Sequence, residues 1–377
     1  MREVLITDAA AVTALGNSLE ETWASLLKGE TGIRPVKRFS TINYMSQFAA
    51  CIQDLLPSYE QSMIFQLIER LFTTMGEVPS ESYLIVATTK AGIDNLERID
   101  QRQQPDLHYT LPSGMPAWIC QKLGLAGEGI NISGACASSA IAIAQGASMI
   151  SSGRVDVVLI CCMDLVTEFV FSGFSALKIL SPVPSRPFDN DRLGLSLGEA
   201  AASLLLMSRE RAQHYGKTPI GTICGWGIAT DAAHITSPAK DGLGLIQAIH
   251  QALRKACLKE EEIAAINAHG TGTVYNDLME LIAFHNVFGN RKMPIHSVKG
   301  AIGHTMGAAG GVEAAISLNS LITRIVPPTV GFLNPEEGAE GLVSSEPFPL
   351  TGNYILTTNS GFSGINAAVV LGKGRET

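Results

Sequence analysis

Charge is scarce in this chain. Asp, Glu, Lys and Arg supply only 16% of its 377 residues, and they balance to a formal -8 at neutral pH. No run of Lys and Arg interrupts that acidic balance, which leaves no electrostatic footprint for a nucleic-acid binder. Long hydrophobic runs are missing too. Every apolar stretch is broken by Gly, Ser or a charge before it reaches bilayer length, and the opening MREVLITDAAAV lacks the layout of a cleavable signal. A soluble, cytoplasmic protein with no membrane association is expected. The seven cysteines form no CxxC pair and no zinc-like spacing, so no metal site is expected and the thiols read as free, in a reducing compartment.

What is present is apolar and small. Hydrophobic residues make up 46% of the chain and 37 glycines are scattered through it, the composition of a tightly packed globular enzyme. The length suits two domains or one double-sized fold. SLEETWASLLKGETGI predicts a helix that starts at a Ser cap and stops near Gly29, and 61–75 predicts a second amphipathic helix. SYLIVATT at 82–89 and RVDVVLICCMD at 154–164 read as buried strands, the latter covered on both faces. The Pro-, Asp- and Gly-rich segment 181–201 reads as a long loop leading into a strand, ASLLLMS. In the second half EEIAAINAHGTGT is a strand entering a Gly/Thr loop, GHTMGAAGGVEAAISLNSLI a glycine-rich turn feeding an apolar helix, and NAAVVLG a closing strand. The two halves place similar segments in corresponding order, which points to an internal duplication with a division at residues 1–215 and 216–377.

One cysteine stands out. In SGACASSAIAIA, Cys136 lies just before an apolar helix; if the helix starts at the cysteine, its free N–H groups and dipole favour the thiolate. The segment alone is equally compatible with a buried structural thiol. His269 in NAHGTGT ends a predicted strand on a loop rich in hydroxyls and amides, and His304 in VKGAIGHTMGAAGG is flanked by glycines, with Lys299 five residues before and Glu313 nine after. Each histidine alone reads more readily as a structural, hydrogen-bonded core residue. Taken together, a thiol and two imidazoles on glycine-rich turns suit a nucleophilic site for acyl transfer or carbon–carbon bond formation. NSGFSGINAAVV places Phe362 on a turn whose amides are free to face an oxyanion.

These motifs resemble those of the β-ketoacyl-acyl carrier protein synthases, the thiolase-fold condensing enzymes of fatty-acid and polyketide assembly. The resemblance runs in order through AAVTALGNSLEETWASLLKGETGIRPVKRF, GACASSAIAIAQGASMI, SRPFDNDRLGLSLGEAA, AHGTGTVYNDLMEL, SVKGAIGHTMGAAGGVEA and NSGFSGINAAVV. It implies an α/β fold of two similar halves layered α-β-α-β-α. By the same resemblance the nucleophile falls on Cys136, the catalytic histidines on His269 and His304, and the supporting pair on Lys299 and Glu313, fixing His304. Thr271 and Thr273 match positions that touch a pantetheine arm, and Phe362 matches a gating aromatic whose N–H joins that of Cys136 in an oxyanion hole. The implied reaction is condensation of an acyl thioester on Cys136 with malonyl-acyl carrier protein, with no cofactor or metal. The implied partners are acyl carrier protein and a second subunit, in a homodimer or a heterodimer with a related chain-length subunit. The alternative is that this chain is itself the non-catalytic chain-length subunit. Between Phe39 and Gly134 the chain is shorter than the family pattern, Ser133-Gly134 depart from it beside the cysteine, and Ser363 and Ile365 depart from it beside the gate. A specialised polyketide or unusual fatty-acid pathway is the expectation.

Overall fold

The computed structural model describes residues 2–58, 60–100 and 106–374. Its central sheet has ten strands: β1 Leu5–Thr13, β2 Tyr83–Ala87, β3 Ile130–Ile132, β4 Val157–Asp164, β5 Ala200–Met207, β6 Gly221–Thr230, β7 Ile263–Asn267, β8 Ile295–His296, β9 Tyr354–Gly361 and β10 Ile365–Lys373. The spatial order is β8-β7-β9-β10-β6-β1-β5-β4-β2-β3. Outward from the β1/β6 junction the first half runs 1-5-4-2-3, and the second repeats it as 6-10-9-7-8. Orientation repeats as well. In each half the inner three strands are antiparallel neighbours and the outer pairs are parallel. The halves join where β1 meets β6 antiparallel at Leu5–Thr222 and Ile6–Gly221.

Local chemistry explains the elements. The helix Leu19–Leu27 starts where Ser18 Oγ accepts the Glu21 N–H, and the chain turns away at Gly29 with φ of 69°. All eight residues of β4 and all eight of β5 are buried, which fits strands covered on both faces. β5 begins at Ala200, two residues before the expected ASLLLMS segment, because Ala200 already pairs with Asp164.

Two helices, Ser138–Ser151 and Ala309–Thr323, fill the middle layer. They share one core cluster with strand residues from both halves, among them Ile85, Val158 and Leu204 from the first and Ile355 and Val369 from the second. Outer helices close the sandwich: Met63–Thr74 and Met115–Leu123 on one side, Leu243–Ala256 and Val274–Phe288 on the other. The five-layer α-β-α-β-α arrangement follows. Close contact in the middle layer depends on missing side chains. A Cβ on Gly310 would lie 2.8 Å from Ala140 N, and one on Gly311 would lie 2.1 Å from Cys162 Sγ. Among the described residues no helix is long and apolar enough to cross a membrane.

Candidate active site

The site forms where strands of both halves end. From the first half, β3 leaves the sheet through Ser133 and Gly134, and Ala135 then adopts a left-handed φ of 48°, unusual for a residue with a Cβ. Ser138 Oγ holds the turn by accepting the Gly134 N–H at 2.9 Å and donating to the Ala135 carbonyl at 2.6 Å. Cys136 is thereby pushed out at the tip, 7% exposed. A Cβ on Gly134 would lie 2.6 Å from Ile141 Cδ1, so glycine there lets the helix pack against its own lead-in.

The helix begins at Ser138, not at Cys136, with Ala137 as its cap. The expectation of a thiolate favoured by the helix start does not hold. Burial is the largest influence and pushes the Cys136 thiol up to about 12; the Lys299 charge and the Phe362 N–H, which donates to Sγ, pull the other way without prevailing. The cysteine rests as a thiol.

From the second half, β7 ends at Asn267 and delivers His269 two residues on. The His269 N–H donates to Glu280 Oε1 at 2.7 Å, and Asn359 Nδ2 lies 3.4 Å from its Nδ1. His304 is held by its N–H on the Ser196 carbonyl at 2.7 Å, while its Nδ1 is buried without a partner among the described residues. The two rings stand edge to face, 5.1 Å between centroids. Both are driven well below the ordinary histidine pKa, by burial first and by the Lys299 charge next. They are neutral imidazoles.

Lys299 and Glu313 form a fully buried ion pair. The resemblance assigned this pair to fixing His304, and the geometry corrects that. Lys299 Nζ donates to the His269 carbonyl, and the other Glu313 oxygen accepts Asn359 Nδ2 at 2.7 Å, so the pair braces His269. Its positive charge reaches His304, but none of its hydrogen bonds does.

Thr271 and Thr273 sit on the turn after His269, their hydroxyls 2.9 Å apart. Two acids that the sequence reading passed over shape this turn. Asp277 accepts the N–H groups of Thr271, Gly272 and Phe188, and Glu280 accepts those of His269 and Gly270. They lie three residues apart on one face of the helix Val274–Phe288, a spacing visible in VYNDLME. Asn359, also passed over, carried no comparable signal.

Cys136, His269, His304, Thr271, Thr273 and Phe362 all line one cavity of about 340 Å³. The Phe362 ring stacks on Phe174 at 6.1 Å between centroids, across the cavity wall. A Cβ on Gly361 would come within 3.2 Å of Cys136 N, so glycine permits the turn to approach the cysteine backbone. A larger open groove of about 1380 Å³, around Trp226 and Lys255, contains none of these residues. Among the described residues no group of three His, Cys, Asp or Glu is placed to hold a metal ion.

Comparison with known proteins matches this arrangement along the chain. The family model for the β-ketoacyl synthase N-terminal domain matches residues 74–212, and that for the C-terminal domain matches 220–333. A 3-oxoacyl-[acyl-carrier-protein] synthase 2 from Vibrio cholerae is 31% identical, with 98% of each chain covered. The chain belongs to the β-ketoacyl synthase family. Among solved structures, this β-ketoacyl synthase chain is similar to the ishigamide ketosynthase/chain length factor, with TM-score 0.91 and 27% identity over 99% of this chain and 100% of that one. A ketosynthase in complex with its chain length factor from Xenorhabdus doucetiae gives TM-score 0.84 and 26% identity, over 99% and 98%. The fold of this synthase chain is thiolase-like.

Proposed function

We propose that this chain is a β-ketoacyl-acyl carrier protein synthase acting in the cytoplasm, with its nucleophile in residues 1–215 and its histidines in 216–377. The observation that carries the reading is the convergence of Cys136, neutral His269 and neutral His304 on one cavity, with the Phe362 N–H on the Cys136 sulfur.

In the first step Cys136 Sγ attacks the carbonyl of an acyl thioester on acyl carrier protein. The carrier C–S bond breaks, and the thiol proton of Cys136 goes to the departing pantetheine sulfur. The N–H groups of Phe362 and Cys136 take the oxyanion. In the second step malonyl-acyl carrier protein enters past Thr271 and Thr273. Its carboxylate leaves as carbon dioxide, and the bonding pair becomes an enolate. The two imidazoles, neutral and therefore able to donate one N–H each, stabilise that oxygen without being deprotonated themselves. The enolate carbon attacks the Cys136 thioester, the β-ketoacyl chain leaves on the carrier, and Cys136 Sγ recovers a proton from water. Lys299 and Glu313 hold the His269 backbone in place.

The catalytic subunit works as a dimer, with a second copy of itself or a related chain-length subunit. The alternative, that this chain is a non-catalytic subunit, is weakened by the intact cysteine and both histidines. Intact-mass measurement after incubation with acyl-acyl carrier protein tests the reading. A mass gain on Cys136, absent in Cys136→Ala, is expected, followed by carbon dioxide release when malonyl-acyl carrier protein is added. No acylation, alone or with a co-expressed related subunit, would overturn it.

A further inference from the structure

The two imidazoles face one cavity but are braced differently. His269 has Asn359 beside its Nδ1 and Lys299 on its carbonyl. His304 has no such brace: its Nδ1 is buried without a partner among the described residues, and no hydrogen bond of the Lys299–Glu313 network reaches it. Its aim is therefore set by its backbone. On the incoming side the His304 N–H donates to the Ser196 carbonyl at 2.7 Å, and its own carbonyl accepts the Gly198 N–H at 2.9 Å. On the outgoing side one carboxylate does the holding.

That carboxylate is Asp164, fully buried at the end of β4, and it sits between two chain segments. From the loop after β2 the Thr88 and Thr89 hydroxyls donate to it at 2.7 Å each, and the Thr89 and Lys90 N–H groups at 3.1 Å. From the other segment the Gly307 N–H donates to Oδ2 at 2.7 Å, three residues after His304. Met306, just before Gly307, has a left-handed φ of 52°, so the turn is bent against steric preference where Asp164 grips it. A Cβ on Gly307 would lie 2.7 Å from Oδ2, and only glycine lets the turn come this close.

Holding both segments at once needs a carboxylate. An amide here has a single acceptor oxygen: if it faces Gly307, its NH2 meets the Lys90 N–H, and if it faces Lys90, its NH2 meets the Gly307 N–H. Either way one N–H loses its acceptor.

We propose that Asp164 is the positioning residue of His304: through the Gly307 N–H it fixes the turn that aims this imidazole at the enolate oxygen, as Lys299 and Glu313 brace His269. The proposal rests on His304 as a donor to that oxygen.

Carbon dioxide release from malonyl-acyl carrier protein and acyl loading of Cys136, measured in the wild type, Asp164→Asn, Thr88→Val, His304→Ala and the double variant Asp164→Asn/His304→Ala, test it. Asp164→Asn should slow carbon dioxide release about ten- to hundred-fold, the scale of a displacement of about 1 Å, with the loss in kcat and little change in KM. Cys136 loading should keep its wild-type rate. Thr88→Val removes a donor on the loop side alone and should release carbon dioxide as the wild type does. In the His304→Ala background Asp164→Asn should slow the reaction no further, because the group it aims is gone.

No slowing in Asp164→Asn, an equal slowing of loading and carbon dioxide release, or Thr88→Val as slow as Asp164→Asn overturns the proposal. So does a double variant slowed by the product of the two single effects. Should Asp164→Asn show no cooperative urea transition, Gly307→Ala, which keeps the carboxylate and pushes the turn off it, takes its place in the cycle and the same outcomes decide. If His304→Ala leaves carbon dioxide release unchanged, the donor role of His304 fails and this inference with it; a slow His304→Ala that Asp164→Asn slows as much again removes only the inference.

Discussion

Lys299 reaches from the turn before His304 to the carbonyl of His269, and so ties together the two segments that carry the imidazoles. Its partner Glu313 lies in the central helix Ala309–Thr323 and holds Asn359 with its second oxygen. The bracing of the site is therefore one buried polar network, and its members should respond differently to substitution.

Removing one charge of the pair leaves the other buried and uncompensated. Lys299→Met or Glu313→Leu should each lower stability by about 3–5 kcal/mol, while the double variant should recover much of that loss. Urea unfolding of the three variants checks this. Additive losses in the double variant would show that the two side chains act independently.

The imidazoles should matter for decarboxylation more than for loading. His304→Ala and His269→Ala should each slow carbon dioxide release from malonyl-acyl carrier protein by about 10²–10³-fold, the scale seen when one oxyanion donor is lost. Acylation of Cys136 should survive in both. The double variant should be slower than either single variant by much less than the product of the two effects, because the donors serve one oxygen.

Cys136 rests as a thiol, with burial pushing it up to about 12. Its alkylation by iodoacetamide, followed by peptide mapping to separate it from exposed Cys257, should keep rising through pH 9. A plateau below pH 8 would reveal a thiolate and contradict the dominance of burial.

His296 is fully buried, with neither ring nitrogen partnered among the described residues, and is pulled down to about 3 by burial and by Lys299. Its folded pKa is depressed, so the unfolded chain binds its proton below about pH 6.5 while the folded chain does not. The stability that depends on a neutral His296 is thus lost as pH falls from 6.5 towards 3. Relative to the wild type, His296→Asn should lose one proton's worth of acid sensitivity, about 1.4 kcal/mol per pH unit between pH 6 and 4. Equal slopes of stability against pH in the two proteins would refute this.

The Cβ that Gly311→Ala adds meets Cys162 Sγ, and the misfit should cost about 1–3 kcal/mol. Cys162→Ala removes the opposing sulfur, so the double variant should regain most of the loss. A double-mutant cycle with no coupling would mean that the helix relaxes instead of resisting.

Much of this was legible in the chain itself. The six ordered motifs carried Cys136, His269, His304, Lys299, Glu313, Thr271, Thr273 and Phe362, and the fold brings all of them to one centre. The elements around them were legible too, because capping at Ser18, small residues in the central helices and apolar runs in β4 are local signals. Asp277 and Glu280 share a three-residue helical spacing in VYNDLME, but that they face inward and hold the turn is decided by the fold. Asn359 gave no signal, since its partners, Glu313 and His269, are 46 and 90 residues away.

Residue type, glycine placement and strand or helix period act over short distances, so the chain read alone was enough to name the candidate reactive groups and the backbone shapes that present them. Tertiary structure alone decided the protonation of Cys136 and the bracing of His269 by Lys299. Desolvation and charge pairing depend on which distant segments close over a group, and no local stretch of sequence encodes that.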